Sequence, residues 1–308
     1  MPIFESRQAG PFSILIFKSC MLYIGQMRFA IATLVLFSAL IGVACPRPEP
    51  PKNAPNIDFD KLHQPLDILL KRYVRDGLVD YSAWKNNPAD VQALENYLLS
   101  LADIYPDNID SYGDRKAFWA NAYNAWGIKL VLDRYPIKSV LFDENTNNDP
   151  RLKDFMGGPD RKIGTVVVSL DDIEERADTR TNPMLHFVLA KPAMGAPDMP
   201  NYAYNGKEFN NQIDSAVRKL LASERKGMRF DLPDSKVYLS EIFKQYRLEF
   251  GDDLAGFLKR YISPERQAIL DSINKNQLNF DYIPFDWRLN DTKQQGAGTG
   301  GQGSGTRR

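Results

Sequence analysis

Hydrophobic and polar positions alternate along this chain with two different periods. From Phe59 to Val74 apolar residues fall at 62, 66, 69, 70 and 73 or 74, the spacing of an amphipathic helix, with Asp58 or Asp60 placed to cap it. Ala89 to Ile104, following Pro88, predicts a second helix. A third opens at Asp114, runs to about Arg134 and stops before Pro136, where a proline disfavours helical backbone. The period then shortens. Lys162–Leu170 (KIGTVVVSL) is β-branched and reads as a strand, Asp171–Arg176 as a helical turn, and Leu185–Ala190 (LHFVLA) as a buried strand. Pro192–Tyr204 is a long loop, Lys207–Ala222 a helix, and Met228–Leu239 a hairpin around Pro233-Asp234. Two or three short helices lead to Asn274, and Tyr282–Leu289 closes as an extended segment. Helices gather at both ends and strands in the middle. The expected fold is therefore α+β: helical N- and C-terminal parts around a small, central, mainly antiparallel sheet, in a single domain over residues 57–290.

The two ends of the chain do not share this patterning. Phe29–Ala44 (FAIATLVLFSALIGVA) is uncharged, follows Arg28 and ends in small residues before Cys45, the layout of a secretory signal. The run is shorter than the roughly 20 residues a membrane-spanning helix needs. Met27 is the expected start, with residues 1–26 an upstream over-extension, 27–44 the signal peptide and 45–56 a Pro-rich linker. Cys45 sits where a bacterial lipoprotein carries its lipid-modified cysteine, although Gly42 stands where a large aliphatic residue is usual. An ordinary signal with an incidental Cys45 is the rival reading. Residues 291–308 are Gly, Gln, Ser and Thr with no apolar residue beyond Ala, and are expected to be disordered.

Charge and cysteine content narrow the chemistry. Basic and acidic residues balance at 39 each, and removal of residues 1–44 leaves the remainder two charges acidic, so nothing points to nucleic acid as a partner. The only cysteines are Cys20 and Cys45. The folded domain thus has no thiol, hence no internal disulfide and no cysteine nucleophile. With no thiol, two histidines and no His-x-x-x-His spacing, no zinc site is expected. The oxygen-rich run Asp143–Asp149 lacks EF-hand spacing and reads as a solvated loop. No P-loop, Rossmann fingerprint or Gly-x-Ser-x-Gly elbow is present, and no metal or cofactor is expected.

The third helix poses a sharper question. At 100° per residue, Trp119, Tyr123, Trp126 and Leu130 form one stripe, while Asn121 and Asn124 fall on the far side beside Ile128 and Leu132. A helix apolar on both faces is a central one, so both amides should be buried and must bind backbone, a loop or a ligand. His186 raises the same choice. It sits in an apolar run, either as a hydrogen-bonded core histidine or as a general base. His63 falls on the amphipathic first helix and is expected at the surface. Asp171 and Glu174 share a helical face and could do acid/base work or cap the turn.

Several segments taken together resemble the domain-of-unknown-function 547 family. A Trp-x-Asn-x-Tyr-Asn-Ala helix is matched by Trp119, Asn121, Tyr123, Asn124 and Ala125. A Ser-Leu-x-x-Ile-Glu segment is matched by Ser169, Leu170, Ile173 and Glu174, and a His-Phe pair by His186 and Phe187. Pro197, then Ala203 and Tyr204, and finally Phe285, Asp286, Trp287, Leu289 and Asn290 follow in the family's order. The resemblance spans about 57–290 and implies no settled activity. Its Asn, His and Ser-Cys-Pro pattern is of a kind that could support cysteine-hydrolase or acyl-transfer chemistry. Here Ser-Cys-Pro reads Gly195-Ala196-Pro197, a histidine common after Ile-Glu is Glu175, and an Asp-Pro-Arg is Asn182-Pro183-Met184. Each departure removes a reactive or charged group.

The leading expectation is an exported, periplasmic or membrane-anchored envelope domain with a binding or structural role, catalytically degenerate, tethered through a lipid on Cys45. Its partner would be an envelope ligand or protein. Trp119, Asn121, Tyr123, Asn124, Pro197 and Tyr204 are its structural or ligand-binding residues. The rival is a hydrolase or acyl-transfer enzyme using His186 and Glu174 on an envelope amide or ester. A third reading is a partner surface formed by the aromatics of Pro200–Tyr204.

Overall fold

The computed structural model describes residues 57–144, 147–158, 161–164, 166–177, 179–273 and 280–297. The Cys45 tether and the signal segment lie outside the described residues. The first helix, α1 (Phe59–Tyr73), begins where the Asp58 carboxylate accepts the Lys61 N–H at 3.2 Å. It buries His63, Leu66, Leu69, Leu70 and Tyr73. His63 is thus a core residue, not the surface one expected. It shares the face of Leu66 and Leu70, and its Nδ1 lies 2.9 Å from the Tyr97 hydroxyl.

A two-residue hairpin, β1 (Val74–Arg75) and β2 (Leu78–Val79), turns through Asp76 and Gly77, both at positive φ. Helix α2 (Tyr81–Lys85) follows, then α3 (Pro88–Leu101), capped by Asn87 with Pro88 in its first turn. Asp90 ties these pieces together. It accepts from the Tyr73 hydroxyl at 2.6 Å and the Asn87 amide at 2.9 Å, and pairs with Arg72.

Helix α4 (Tyr112–Arg134) starts at Ser111, whose hydroxyl accepts from the Asp114 N–H, and is buried along both faces from Lys116 to Leu132 apart from Trp126 and Lys129. It packs on α1, α2 and α3 and on two later helices, α5 (Leu170–Arg176) and α6 (Phe209–Ala222). The helix with two apolar faces is therefore central, in an α+β fold whose strands pair mainly antiparallel. The strands form three small separate sheets among the described residues.

The expected strand Lys162–Leu170 is an antiparallel hairpin, β3 (Arg161–Ile163) against β4 (Val166–Val168). Gly164 breaks the run: it has φ 58°, and a Cβ there would meet the Ile104 carbonyl oxygen at 2.8 Å. Ser169 and Asp172 then form a reciprocal capping box at the start of α5. The expected strand Leu185–Ala190 is instead a 3-10 turn, Pro183–Phe187, started by Pro183 and by the Asn182 side chain accepting from the Met184 N–H. A short buried apolar run does not declare its period, and this one has no ladder partner.

The third sheet pairs β5 (Met228–Asp231) antiparallel to β6 (Lys236–Ser240), and β6 parallel to β7 (Phe280–Ile283). Short helices α7 (Ile242–Gln245), α8 (Leu254–Lys259) and α9 (Pro264–Ile273) fill the connection between β6 and β7. After β7 the chain runs on as a strap. Gly195 N–H donates to the Asp286 carbonyl, Met194 N–H to the Arg288 carbonyl, Leu289 N–H to the Lys138 carbonyl and Val79 N–H to the Asn290 carbonyl, all at 2.8–2.9 Å. Asp291 is buried and Thr292–Ala297 forms 3-10 turns, so order continues past the compositional boundary at 290. Among the described residues no helix is long and apolar enough to cross a membrane.

Candidate functional site

The two asparagines of α4 hold backbone. Asn121 Nδ2 donates to the Tyr204 carbonyl at 2.9 Å and its Oδ1 accepts the Tyr204 N–H at 2.8 Å. Asn124 Nδ2 donates to the Val188 carbonyl at 3.1 Å and its Oδ1 accepts the Ala190 N–H at 2.9 Å. Each amide thus replaces a strand neighbour for a buried stretch of chain that has none. Trp119 and Tyr123 are buried beside them, Trp119 edge-on to Phe118. Among the described residues the Tyr123 hydroxyl has no hydrogen-bond partner.

The segment that Asn124 pins carries His186. Its imidazole, 3% exposed, stacks on the Tyr246 ring with centroids 3.5 Å apart. Nε2 lies 2.7 Å from Glu249 Oε2, and Nδ1 lies 3.4 Å from Glu174 Oε1. The Tyr246 hydroxyl donates to the same Glu174 oxygen at 2.6 Å, and Lys191 Nζ sits 3.7 Å from the other. Burial alone would raise the Glu174 pKa. The hydrogen bond from His186, the Lys191 charge and the Tyr246 hydroxyl outweigh it and bring the carboxyl down to about 2. The Tyr246 hydroxyl is pushed up, first by burial and then by the Glu174 charge.

Of the sequence candidates, His186, Glu174 and Pro197 meet at one small cavity, together with Ala196 and Lys191. Ala196, which stands where the family resemblance implies a cysteine, therefore lines the same cavity as His186. The cavity measures about 30 Å³, room for a water but not for an amide or ester substrate. Lys226 fixes this segment from behind, donating to the Ala196 carbonyl at 2.7 Å and to Asp198 at 2.5 Å. Burial pushes the Asp198 carboxyl up, and Lys226 and Lys219 together hold it below the usual range.

Asp171 is exposed and makes no ion pair with His186; of the two acids on this helical face, Glu174 is the one that turns to it. Nor do Tyr202 and Tyr204 form an exposed aromatic surface. Tyr204 is buried, with its ring edge-on to the half-buried Tyr202 and to Phe209. Sequence reasoning missed Glu249, Tyr246 and Lys226, which come from stretches whose polar residues look like ordinary solvated positions.

His186→Ala strips a partner from two carboxylates at once. The expected loss is about 1–3 kcal/mol of unfolding free energy, read by urea denaturation at neutral pH. A variant as stable as the wild type would show that the imidazole braces nothing.

A central helix thus holds two loops through its amides, one of them the segment that carries the histidine–carboxylate centre. Residues 107–221 match the family model described as a protein of unknown function, DUF547. The matched stretch contains Asn121, Asn124, Glu174, His186, Pro197 and Tyr204, and supports the resemblance drawn from those residues. No curated protein and no solved structure matches the chain.

Proposed function

We propose that this chain is an exported, lipid-anchored domain of the bacterial envelope with a binding or structural role, and that its His186 centre is catalytically silent. The observation that carries this reading is the setting of His186: carboxylates face both ring nitrogens, and the residue lining its cavity where the resemblance implies a cysteine is Ala196. Nucleophilic catalysis without a nucleophile does not proceed. The Glu249–His186–Glu174–Tyr246 chain then serves to lock the 3-10 turn, α5 and the segment after α7 together.

A second reading keeps the cavity as a water site, with His186 and Glu174 activating that water against an amide or ester. The room for one water beside His186 and Lys191 favours it. The two separate in one experiment. Wild-type protein should release no acid from p-nitrophenyl acetate or from envelope extract above background. A rate that His186→Ala abolishes without lowering the melting temperature overturns the silent reading. The anchor has its own test. Cys45→Ser should move the protein from the membrane to the soluble fraction, and a variant that stays with the membrane removes the lipid from the proposal.

A further inference from the structure

Two of the groups that seal His186 belong to one short stretch, Tyr246–Gly251, which lies between α7 and α8. The Tyr246 ring stacks on the imidazole with centroids 3.5 Å apart, and its hydroxyl donates to Glu174 at 2.6 Å. Glu249 meets the imidazole Nε2 at 2.7 Å. Tyr246 also lines the His186 cavity, beside Ile242 and Gln245 of α7.

This stretch is held differently from its neighbours. The 188–190 segment is bonded through its backbone to Asn124, and the strap after β7 has four backbone bonds to other parts of the chain. Among the described residues the backbone of Tyr246–Gly251 makes only local hydrogen bonds. Tyr246 N–H donates to the Ile242 carbonyl, Glu249 N–H to the Tyr246 carbonyl, and the Gly251 carbonyl accepts from Arg247. Its polar and aromatic contacts with the rest come from three side chains, Tyr246, Glu249 and Phe250. Phe250 packs on Phe243 and Phe257, from the helices on either side, and on Phe187. Leu248 is 95% exposed, so the outer side of the stretch is uncovered. Gly251 supplies a pivot, with φ 69° and open space where a Cβ would stand. Segments with internal backbone bonds and few buried contacts open at low free energy, without wider unfolding.

We propose that Tyr246–Gly251 is a lid, closed over His186 in this structure, that opens while the rest of the domain stays folded. Opening withdraws the Tyr246 ring and the Glu249 carboxylate together. It leaves the imidazole beside Glu174 and Lys191, in a pocket no longer limited to about 30 Å³. The lid governs access to this centre whether the centre is silent or activates a water.

Diethyl pyrocarbonate, which acylates an accessible neutral imidazole, tests the lid on the full-length chain, with the modification mapped residue by residue. The chain has two histidines, both buried, so His63 serves as the reference for unfolding of the core. His186 should react at a rate nearly flat over low urea, because a lid exposes little surface. His63 should react more slowly and accelerate steeply with urea. Gly251→Ala puts a side chain into left-handed backbone that only the closed lid requires. It should speed the His186 reaction about tenfold, still with a flat urea dependence. A His186 rate that climbs with urea as steeply as that of His63 would overturn the lid, since the imidazole would then be reached only by unfolding. A flat rate that Gly251→Ala leaves unchanged would overturn it as well, because the strain at 251 would persist in the open form and the opening would lie in another segment.

Discussion

Asn124→Ala is expected to cost about 2–6 kcal/mol of unfolding free energy, a large part of the net stability of a domain. The amide serves the Val188 carbonyl and the Ala190 N–H, and both are buried away from water. Removing it leaves one acceptor and one donor unsatisfied, each at about 1–3 kcal/mol. Asn121→Ala should cost a similar amount through the two backbone groups of Tyr204. The two variants differ in where they loosen the chain. Amide hydrogen exchange should speed up at Ala190 in Asn124→Ala and at Tyr204 in Asn121→Ala. Asn124→Asp is the stringent control, because it keeps the acceptor for Ala190 N–H but sets a carboxylate against the Val188 carbonyl. It should be no more stable than Asn124→Ala. Near-wild-type stability of Asn124→Ala would mean that the 188–190 segment finds other partners.

The second large effect is on acid stability, which should fail in two steps. The unfolded chain protonates His63 at its ordinary value of 6.5, whereas the folded chain, by burying the ring, resists until about 4. The unfolded state therefore binds more protons between these values. Stability from this group is intact above 6.5 and drains as pH falls to about 4. Glu174 follows below it. Its folded carboxyl stays charged down to about 2 against 4.5 unfolded, so its contribution is present above 4.5 and lost as pH falls through 2. Each step amounts to about 3 kcal/mol at 1.36 kcal/mol per unit. Urea midpoints measured from pH 7 to 2 in wild type and His63→Phe separate the steps. The variant should lose the slope between 6.5 and 4 that is owed to His63, and keep the one below 4.5. An identical slope in both proteins above pH 4.5 would remove His63 from the account.

How much of this was legible depended on how local the cause was. Helix α1 announced itself through its apolar stripe and an Asp at 58 or 60 to cap it, and α3 through Pro88. The burial of Asn121 and Asn124 followed from the two-faced apolarity of their helix. Their partners did not, because Tyr204 and Ala190 lie 83 and 66 residues away. The Asp76-Gly77 turn was written in the sequence, but its strands are only two residues long, too short for any period to show. His186 was read as part of a strand because apolar runs look alike when buried. Its own turn hydrogen bonds and those from Asn124 explain how that stretch can lie in the core without a sheet. Glu249 and Tyr246 left no trace, since a carboxylate that ends up 2.7 Å from an imidazole looks in sequence like any solvated acid.

The strap at 285–291 sets the order in which the molecule can be finished. It supplies backbone partners to Val79, Lys138, Met194 and Gly195, and the Asn290 and Asp291 side chains receive the hydroxyls of Tyr81 and Tyr135. Residues made early thus wait for residues made late, and β6 waits for β7 in the same way. During synthesis the N-terminal helices can associate, but their seam with the rest stays open until the strap emerges. A chain stopped before Phe285 would keep nearly all of its helices and still lack the segment that ties Val79, Lys138, Met194 and Gly195 to one another.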